Sequence, residues 1–323
     1  MSVTSVLLAA GRGTRLRPLT ETVPKPALPL VDVPLAAYAL GRLLEVAPPV
    51  VINVSHLGEV LEGALESHVA GHPVTFFRER PAPLGAAGTL RSLASDLADP
   101  FVTHNADALC DVSVAALLDA HALNDADATI AVRRVERGAD FLVSAQGELE
   151  LLDRTASGDH RGVLFLGVAV WNRGVVDLVP NELPAGLAEH VLGPLARAGR
   201  LALHEHDGYW RDVGTPSAYL AASLDVVGGT GPAPPDGLPG QIIEVEGGGA
   251  YVGPEAHVRG AQLGTGAIVL AGATVEPGAR VEHAVVLPGE RVRPGAHLSR
   301  CIWARGSAVA APDPDGTARR LGS

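Results

Sequence analysis

Val6-Leu7-Leu8-Ala9-Ala10-Gly11-Arg12-Gly13-Thr14-Arg15-Leu16-Arg17-Pro18-Leu19-Thr20 opens the organised part of this chain, and Pro24-Lys25-Pro26 follows closely. The apolar run Val3–Ala9 has the length of a strand and stops at glycine, so it reads as a buried strand running into a tight loop. Gly11 and Gly13 let the backbone turn sharply there and expose N–H groups to an anion. Arg12, Arg15, Arg17 and Lys25 crowd positive charge around the same loop in a chain of net charge −11, which points to a polyphosphate ligand. Two common phosphate loops do not fit. Leu16 stands where a dinucleotide fingerprint needs its third glycine, and no Gly-Lys-Ser/Thr of a P-loop is present.

Further along, the same pattern repeats. Val50–Val54, Val74–Phe77 and Phe101–His104 read as short buried strands. Between them apolar residues recur at helical spacing: Leu35, Tyr38, Ala39, Leu43 and Val46; then Leu57, Val60, Leu61, Leu65 and Val69; then Leu90, Leu93 and Leu97. Strand and helix in alternation imply crossover connections, hence an α/β fold with a doubly wound, Rossmann-like sheet. Ligands in such folds bind beyond the carboxyl ends of the strands, at the loops after Ala9, Phe77 and His104.

The stretch Gly228–Gly240 is mostly Gly and Pro and reads as a linker. Beyond it the period changes. Leu263, Val269, Val275 and Val281 fall at intervals of six, and Val286, Val292 and Leu298 resume that interval after a shift. An aliphatic every six residues, with Gly and Pro between, is the pattern of a hexapeptide β-helix of about eighteen residues per coil, here three or four coils. The expected division is a first domain over 1–227, the linker 228–240, a short left-handed β-helix over 241–311 and a polar tail over 312–323. A coil of this kind offers faces and an end that prefer to be covered, which suggests a homo-oligomer.

Composition narrows the classes. With 323 residues, 47% of them hydrophobic, the chain can bury more than one core, and its acidic balance argues against a general nucleic-acid binder. The absence of a long apolar run argues against a membrane span or a signal peptide. Cys110 and Cys301 are far apart and read as reduced thiols of a cytoplasmic protein.

Four blocks in order, together with the repeat region, resemble the sugar-1-phosphate nucleotidyltransferases. They are Leu8–Leu16 with Pro24-Lys25-Pro26, Pro83-Leu84-Gly85-Ala86-Ala87-Gly88-Thr89-Leu90, His104-Asn105-Ala106-Asp107, and Tyr209-Trp210-Arg211-Asp212-Val213-Gly214-Thr215-Pro216. The resemblance implies a GT-A-like nucleotidyltransferase fold and a reaction in which a sugar 1-phosphate attacks a nucleoside triphosphate and pyrophosphate leaves. It implies roles too. Leu8, Ala10, Gly11, Gly13, Thr14 and Gly85 would hold the nucleotide, Arg15 the departing phosphates and Lys25 the sugar phosphate, while Asp107 and Asp212 would bind Mg²⁺. Gly167 matches a glycine close to the sugar, and Asp153 is the nearest counterpart of a sugar-binding Glu. Ala86 and Ala106 depart from the family's Thr and Gly.

Base and sugar are read from fewer residues. Glu79 precedes Leu84-Gly85, and a carboxylate there can accept N1–H and the 2-amino group of guanine. That favours GTP with mannose 1-phosphate, with thymidylyl, uridylyl or adenylyl transfer onto glucose 1-phosphate as the alternative. A second enzyme is also conceivable, because hexapeptide coils occur in acyltransferases and His257, His283 or His297 could be its base. Loss of the metal carboxylates would mark a non-catalytic relative, and both are present. The Asp125-Ala126-Asp127 triplet reads as a solvated turn, and Trp171, Trp210 and Trp303 as packing residues, Trp210 beside Asp212.

Overall fold

A computed structural model of the chain describes residues 4–144, 149–152 and 162–312. The described residues group into two compact units. Of the described residues, one contains 4–11 and those within Ala39–Trp210; the other contains Arg12–Tyr38 and 211–312.

The first unit is built on a mixed sheet. In chain order its elements are β1 (Ser5–Leu8), α1 (Leu35–Val46, whose first turn belongs to the second unit), β2 (Val50–Val54), α2 (Gly58–Val69), β3 (Val74–Arg78), α3 (Ala86–Ser92) and β4 (Phe101–Asn105). They continue with α4 (Val114–Ala122), β5 (Ala128–Val135), β6 (Phe141–Val143), β7 (Leu149–Leu151), β8 (Gly162–Trp171), α5 (Gly193–Arg197) and β9 (Leu201–Glu205). The strand order is β7-β6-β8-β4-β1-β2-β3, with β5 joining β8 to β9. β4, β1, β2 and β3 run parallel, and β8 pairs antiparallel with β4 and β5. The chain adds β2 and β3 on one side of β1, then crosses to place β4 on the other. That reversal makes the carboxyl edge between β1 and β4 a topological switch point, the place where open α/β sheets bind their ligands. Phe101, Phe141 and Trp171 are fully buried in this unit's core, and the Trp171 indole N–H donates to Thr103 Oγ1 at 2.8 Å.

The strand expectations match closely, the helical ones less so. Leu90, Leu93 and Leu97 are all buried, yet α3 ends at Ser92 and turns carry the chain onward. Leu57 precedes α2 in a left-handed conformation, and Val60 is exposed, so Leu61 and Leu65 alone form the buried face. The cap of α4 is Ser113, whose Oγ accepts from the Ala116 N–H at 3.2 Å, and the nearby Asp111 carboxylate meets His206 Nε2 at 2.7 Å. Asp127 of the acidic turn pairs with Arg200 at 2.5 Å.

In the second unit, residues 12–38 form two single 3-10 turns, Thr14–Leu16 and Lys25–Ala27, and a hairpin pairing Pro29–Leu30 with Val33–Pro34. α6 (Pro216–Val227) is capped by Thr215, whose Oγ1 accepts from the Ala218 N–H. Residues 228–240 contain neither helix nor strand. Then come β10 (Gln241–Val245), β11 (Gly248–Val252), β12 (Ala267–Val269), β13 (Arg280–Val286), β14 (His297–Ala304) and β15 (Ser307–Ala310). β11 to β14 stack in parallel, and antiparallel β10 and β15 close the two ends. The column Val252, Val269, Val286 and Trp303 steps by seventeen residues, whereas Leu263 pairs with Val281 eighteen apart. Seventeen in place of the expected eighteen follows from the shift seen in sequence, where Val286 trails Val281 by five. Val269, Val275, Val281, Val286 and Val292 are buried together. No helix among the described residues is long and apolar enough to cross a membrane.

Candidate functional site

The parallel register of the first unit sets Leu8 level with Asn53 on one side and Asn105 on the other, so three strands end together. Leu8 is the last residue of β1, and Ala10 and Gly11 follow in the loop. The Ala106 N–H donates to Leu8 O at 3.0 Å, tying the turn that carries Asp107 to that strand end. His104, inside β4, is fully buried. Its Nδ1–H donates to Asn105 O at 2.9 Å and its Nε2 faces Cys110 Sγ at 3.5 Å. Burial pushes the imidazole pKa down to about 4, so the ring is neutral at ordinary pH. On β8, Gly167 has φ +83° at a bulge between Phe165 and Ala169, and an added Cβ would come within 2.8 Å of Asn105 Nδ2. Glycine is therefore required here by the approach of Asn105. The Trp210 indole N–H donates to Leu166 O at 2.8 Å, which makes Trp210 a strut for this bulge.

Glu79 follows β3 and corrects the sequence reading. Its carboxylate is buried at 6% exposure, and both oxygens already accept hydrogen bonds. Oε1 accepts from Asn53 Nδ2 at 2.8 Å and from the Thr89 hydroxyl at 2.5 Å; Oε2 accepts from the Leu84 N–H at 2.9 Å. Asn53 in turn accepts from the Ala9 N–H at 2.6 Å. A carboxylate spent in this way does not present two free oxygens to a guanine edge. Glu79 instead ties the β1 loop, through Asn53, to the Leu84-Gly85 loop. Gly85 has φ +75°, and an added Cβ would lie 2.4 Å from Ala185 O, so only glycine fits this close loop-to-loop contact. Asn53 escaped the sequence reading because a single polar residue in an apolar strand carries no motif, while Thr89 and Asn105 stood inside recognised blocks without being given a role.

The second unit gathers the charges. Gly13, at φ +58°, turns the chain so that Thr14–Leu16 begins, and the Thr20 hydroxyl donates to Gly13 O at 2.7 Å. A Cβ on Gly13 would meet Lys25 Cβ at 2.7 Å, so the loop and the lysine pack against each other. Lys25 is buried, and its Nζ lies 3.3 Å from Asp212 Oδ1. Half-exposed Arg15 places Nη2 3.3 Å from Asp212 Oδ2. Residues expected to hold two phosphates and a metal thus meet on one carboxylate. A Cβ on Gly214 would lie 2.8 Å from both Arg15 Nη2 and Asp212 Oδ2, so this glycine packs directly beneath the ion pair. The neighbouring Arg211 is engaged elsewhere, with Asp225 at 2.7 Å.

Asp107 and Asp212 offer hard carboxylate oxygens, the donors Mg²⁺ prefers. Among the described residues no group of three or more His, Cys, Asp or Glu could hold a metal. Asp153 lies outside the described residues. In the C-terminal strands His297 faces Glu282 at 3.3 Å and His283 sits in β13 at φ +42°.

Comparison with known proteins places this geometry. The nucleotidyl transferase family model matches residues 4–228. A mannose-1-phosphate guanylyltransferase of Mycobacterium tuberculosis is 31% identical over 300 residues, covering 85% of this chain and 83% of the relative. A mannose-1-phosphate guanyltransferase of Yarrowia lipolytica is 30% identical over 265 residues, covering 78% and 72%. In structure, a Bacillus anthracis protein assigned as a glucose-1-phosphate thymidylyltransferase superposes with a TM-score of 0.59 at 19% identity, covering 69% of this chain and 94% of that one.

Proposed function

Because this chain belongs to the nucleotidyl transferase family, we propose that it condenses GTP with mannose 1-phosphate to give GDP-mannose and pyrophosphate. The observation that carries the catalytic assignment is the convergence of Arg15 and Lys25, from the signature block, on Asp212 from a block far along the chain. The choice of guanine and mannose is supported by the names of the relatives at 30–31% identity, and not by Glu79.

The chemistry asks little of a base. The second pKa of a phosphate monoester is about 6, so the attacking oxygen is already anionic at neutral pH. That oxygen bonds to the α-phosphorus as the bond to the β-phosphate bridging oxygen breaks in line. The obstacle is repulsion between two anions, and fixed cations remove it. Lys25 takes the sugar phosphate and Arg15 the leaving pyrophosphate, with Asp212 holding both side chains in register beforehand. Mg²⁺, assigned to Asp107 and Asp212, would supply neutralisation of charge on the triphosphate. Gly85 and the loop that Glu79 fastens bound the base, Ala10 and Gly11 approach the nucleotide through backbone, and Gly167 lies toward the sugar.

We read the parallel C-terminal strands as a left-handed β-helix, supported by the buried aliphatic column and its two-sixes-and-a-five spacing. Its assembly role is tested by light scattering, where a monomer at working concentration contradicts it. The functional test is pyrophosphate release with the four ribonucleoside triphosphates and dTTP, each against mannose and glucose 1-phosphates, repeated with Lys25→Ala. GTP with mannose 1-phosphate is expected to give the highest kcat/KM. Full turnover by the Lys25 variant would overturn the catalytic assignment, and a better glucose 1-phosphate pair would overturn the substrate.

A further inference from the structure

Residues 12–38 carry Lys25 but have little regular structure of their own, so something outside the segment must hold it. Two clusters in the second unit do so, one on each side of the lysine. Before it, Arg305 at the turn between β14 and β15 donates from Nη1 to Glu21 Oε2 at 2.5 Å and from Nη2 to Thr22 Oγ1 at 2.8 Å. Arg305 is itself set by Glu290, whose carboxylate accepts the N–H groups of Arg305 at 2.6 Å and Gly306 at 3.0 Å. After the lysine, the hairpin tip inserts Asp32. Its carboxylate accepts from the Tyr251 hydroxyl at 2.9 Å and from the Ala271 N–H at 2.8 Å, and the Tyr251 oxygen accepts from the Gly240 N–H at 2.9 Å. The Tyr219 hydroxyl donates to Pro29 O beside the same hairpin.

The hairpin tip is not in a relaxed conformation. Val31 and Asp32 have φ of +52° and +62°, a left-handed geometry disfavoured for a β-branched residue and kept only where surroundings over-determine it. A Cβ on Gly253 would lie 2.2 Å from Asp32 Oδ2, so glycine at the end of β11 opens the space Asp32 fills. Burial raises the Asp32 carboxyl from its ordinary value, opposed by the Ala271 and Tyr251 hydrogen bonds.

We propose that the C-terminal strands are positioning elements for the reaction: Arg305 on one side and the Tyr251–Ala271 pair on the other clamp the chain that carries Lys25. The inference rests on Lys25 being the sugar-phosphate cation. None of the clamp residues touches a reacting group, so their effect passes through the lysine and falls on one substrate more than the other.

Steady-state pyrophosphate release with GTP and mannose 1-phosphate tests this in the full-length protein (glucose 1-phosphate if that proves the better sugar substrate). Arg305→Ala is expected to raise KM for the sugar phosphate about fivefold or more while KM for the triphosphate stays within about twofold. Because Arg305 is exposed, the thermal midpoint should move by no more than about 2 °C. Tyr251→Phe should shift the same parameter in the same direction. The paired exchange Glu21→Arg with Arg305→Glu should restore much of the loss, which a general loss of stability would not allow. Sugar-phosphate KM unchanged in both single variants overturns the inference, as does a parallel fall for both substrates that tracks the folded fraction. Lys25→Ala separates the two levels. An inactive Lys25 variant beside silent clamp variants defeats the clamp alone, whereas an active one defeats the reading beneath it.

Discussion

Glu79→Gln is the sharpest test of how the nucleotide end of the site is built. Three donors point at this carboxylate: Asn53 Nδ2 at 2.8 Å, the Thr89 hydroxyl at 2.5 Å and the Leu84 N–H at 2.9 Å. The amide keeps one acceptor oxygen and places an NH₂ group where the other stood. If that oxygen stays with Asn53 and Thr89, the new donor faces the Leu84 N–H inside the protein. The loss is one hydrogen bond to a charged acceptor together with a poorly satisfied buried donor, about 3 kcal/mol in all. With about 2.1 cal/mol/K of unfolding entropy per residue, that lowers the thermal midpoint of a chain of this size by roughly 4 °C. Activity should decline with every triphosphate together, and kcat/KM ratios among GTP, ATP, UTP and dTTP should move by less than about threefold. The assays are thermal unfolding and pyrophosphate release across the four triphosphates. Unchanged stability with collapsed preference for GTP would mean that Glu79 reads the base, and the clamp assignment would be wrong.

Other consequences follow from the same geometry. Asp212→Asn should lower kcat about a hundredfold, as when a preorganised charge is removed from a phosphoryl-transfer site, and raise the Mg²⁺ concentration for half-maximal rate; an unshifted Mg²⁺ titration would detach Asp212 from the metal. Chelation should abolish turnover and added Mg²⁺ restore it, measured as pyrophosphate release. Gly85→Ala forces a left-handed non-glycine residue against Ala185 O at 2.4 Å and should cost about 1–3 kcal/mol in urea denaturation, with KM for triphosphate raised. His104, with a pKa lowered from 6.5 to about 4, is a destabilising proton acceptor in acid. Between those values the unfolded chain binds a proton that the native protein refuses. Stability is therefore present above the unfolded value and falls as pH drops through the window, by up to about 3 kcal/mol. Urea midpoints at pH 7.5 and pH 5 should differ less in His104→Gln than in the parent, and equal slopes would exclude His104 as the source.

Much was legible without coordinates because it depends on local order. Strands β1 to β4 were bounded within a residue or two from apolar runs that stop at glycine or polar residues. The aliphatic spacing was legible, but the expected eighteen-residue coil was one residue too long, because Val281 to Val286 is five and the neighbouring steps are six. Arg15, Lys25 and Asp212 were nominated from separate blocks with separate roles, and the pairing of both cations with the Asp212 carboxylate was not legible there. Helical limits were less legible. Apolar periodicity reports which residues are buried, so it marked Leu93 and Leu97 correctly as core while saying nothing about α3 ending at Ser92.

The amino-acid order by itself determined the alternation of strand and helix, the aliphatic column of the C-terminal coil, the glycine loops and the residue types available for phosphate chemistry. Each of these depends on neighbours within a few positions, where period, φ and charge density act directly. Only the tertiary structure decided that Glu79 fastens a loop instead of facing a base, because its partners Asn53, Thr89 and Leu84 arrive on three different segments. It alone decided that the segment carrying Lys25 is tied at Glu21 by Arg305 and at Asp32 by Tyr251, contacts that close across more than two hundred residues of chain. A carboxylate's role is set by which donors fold against it, and chain order carries no record of partners brought together only by packing.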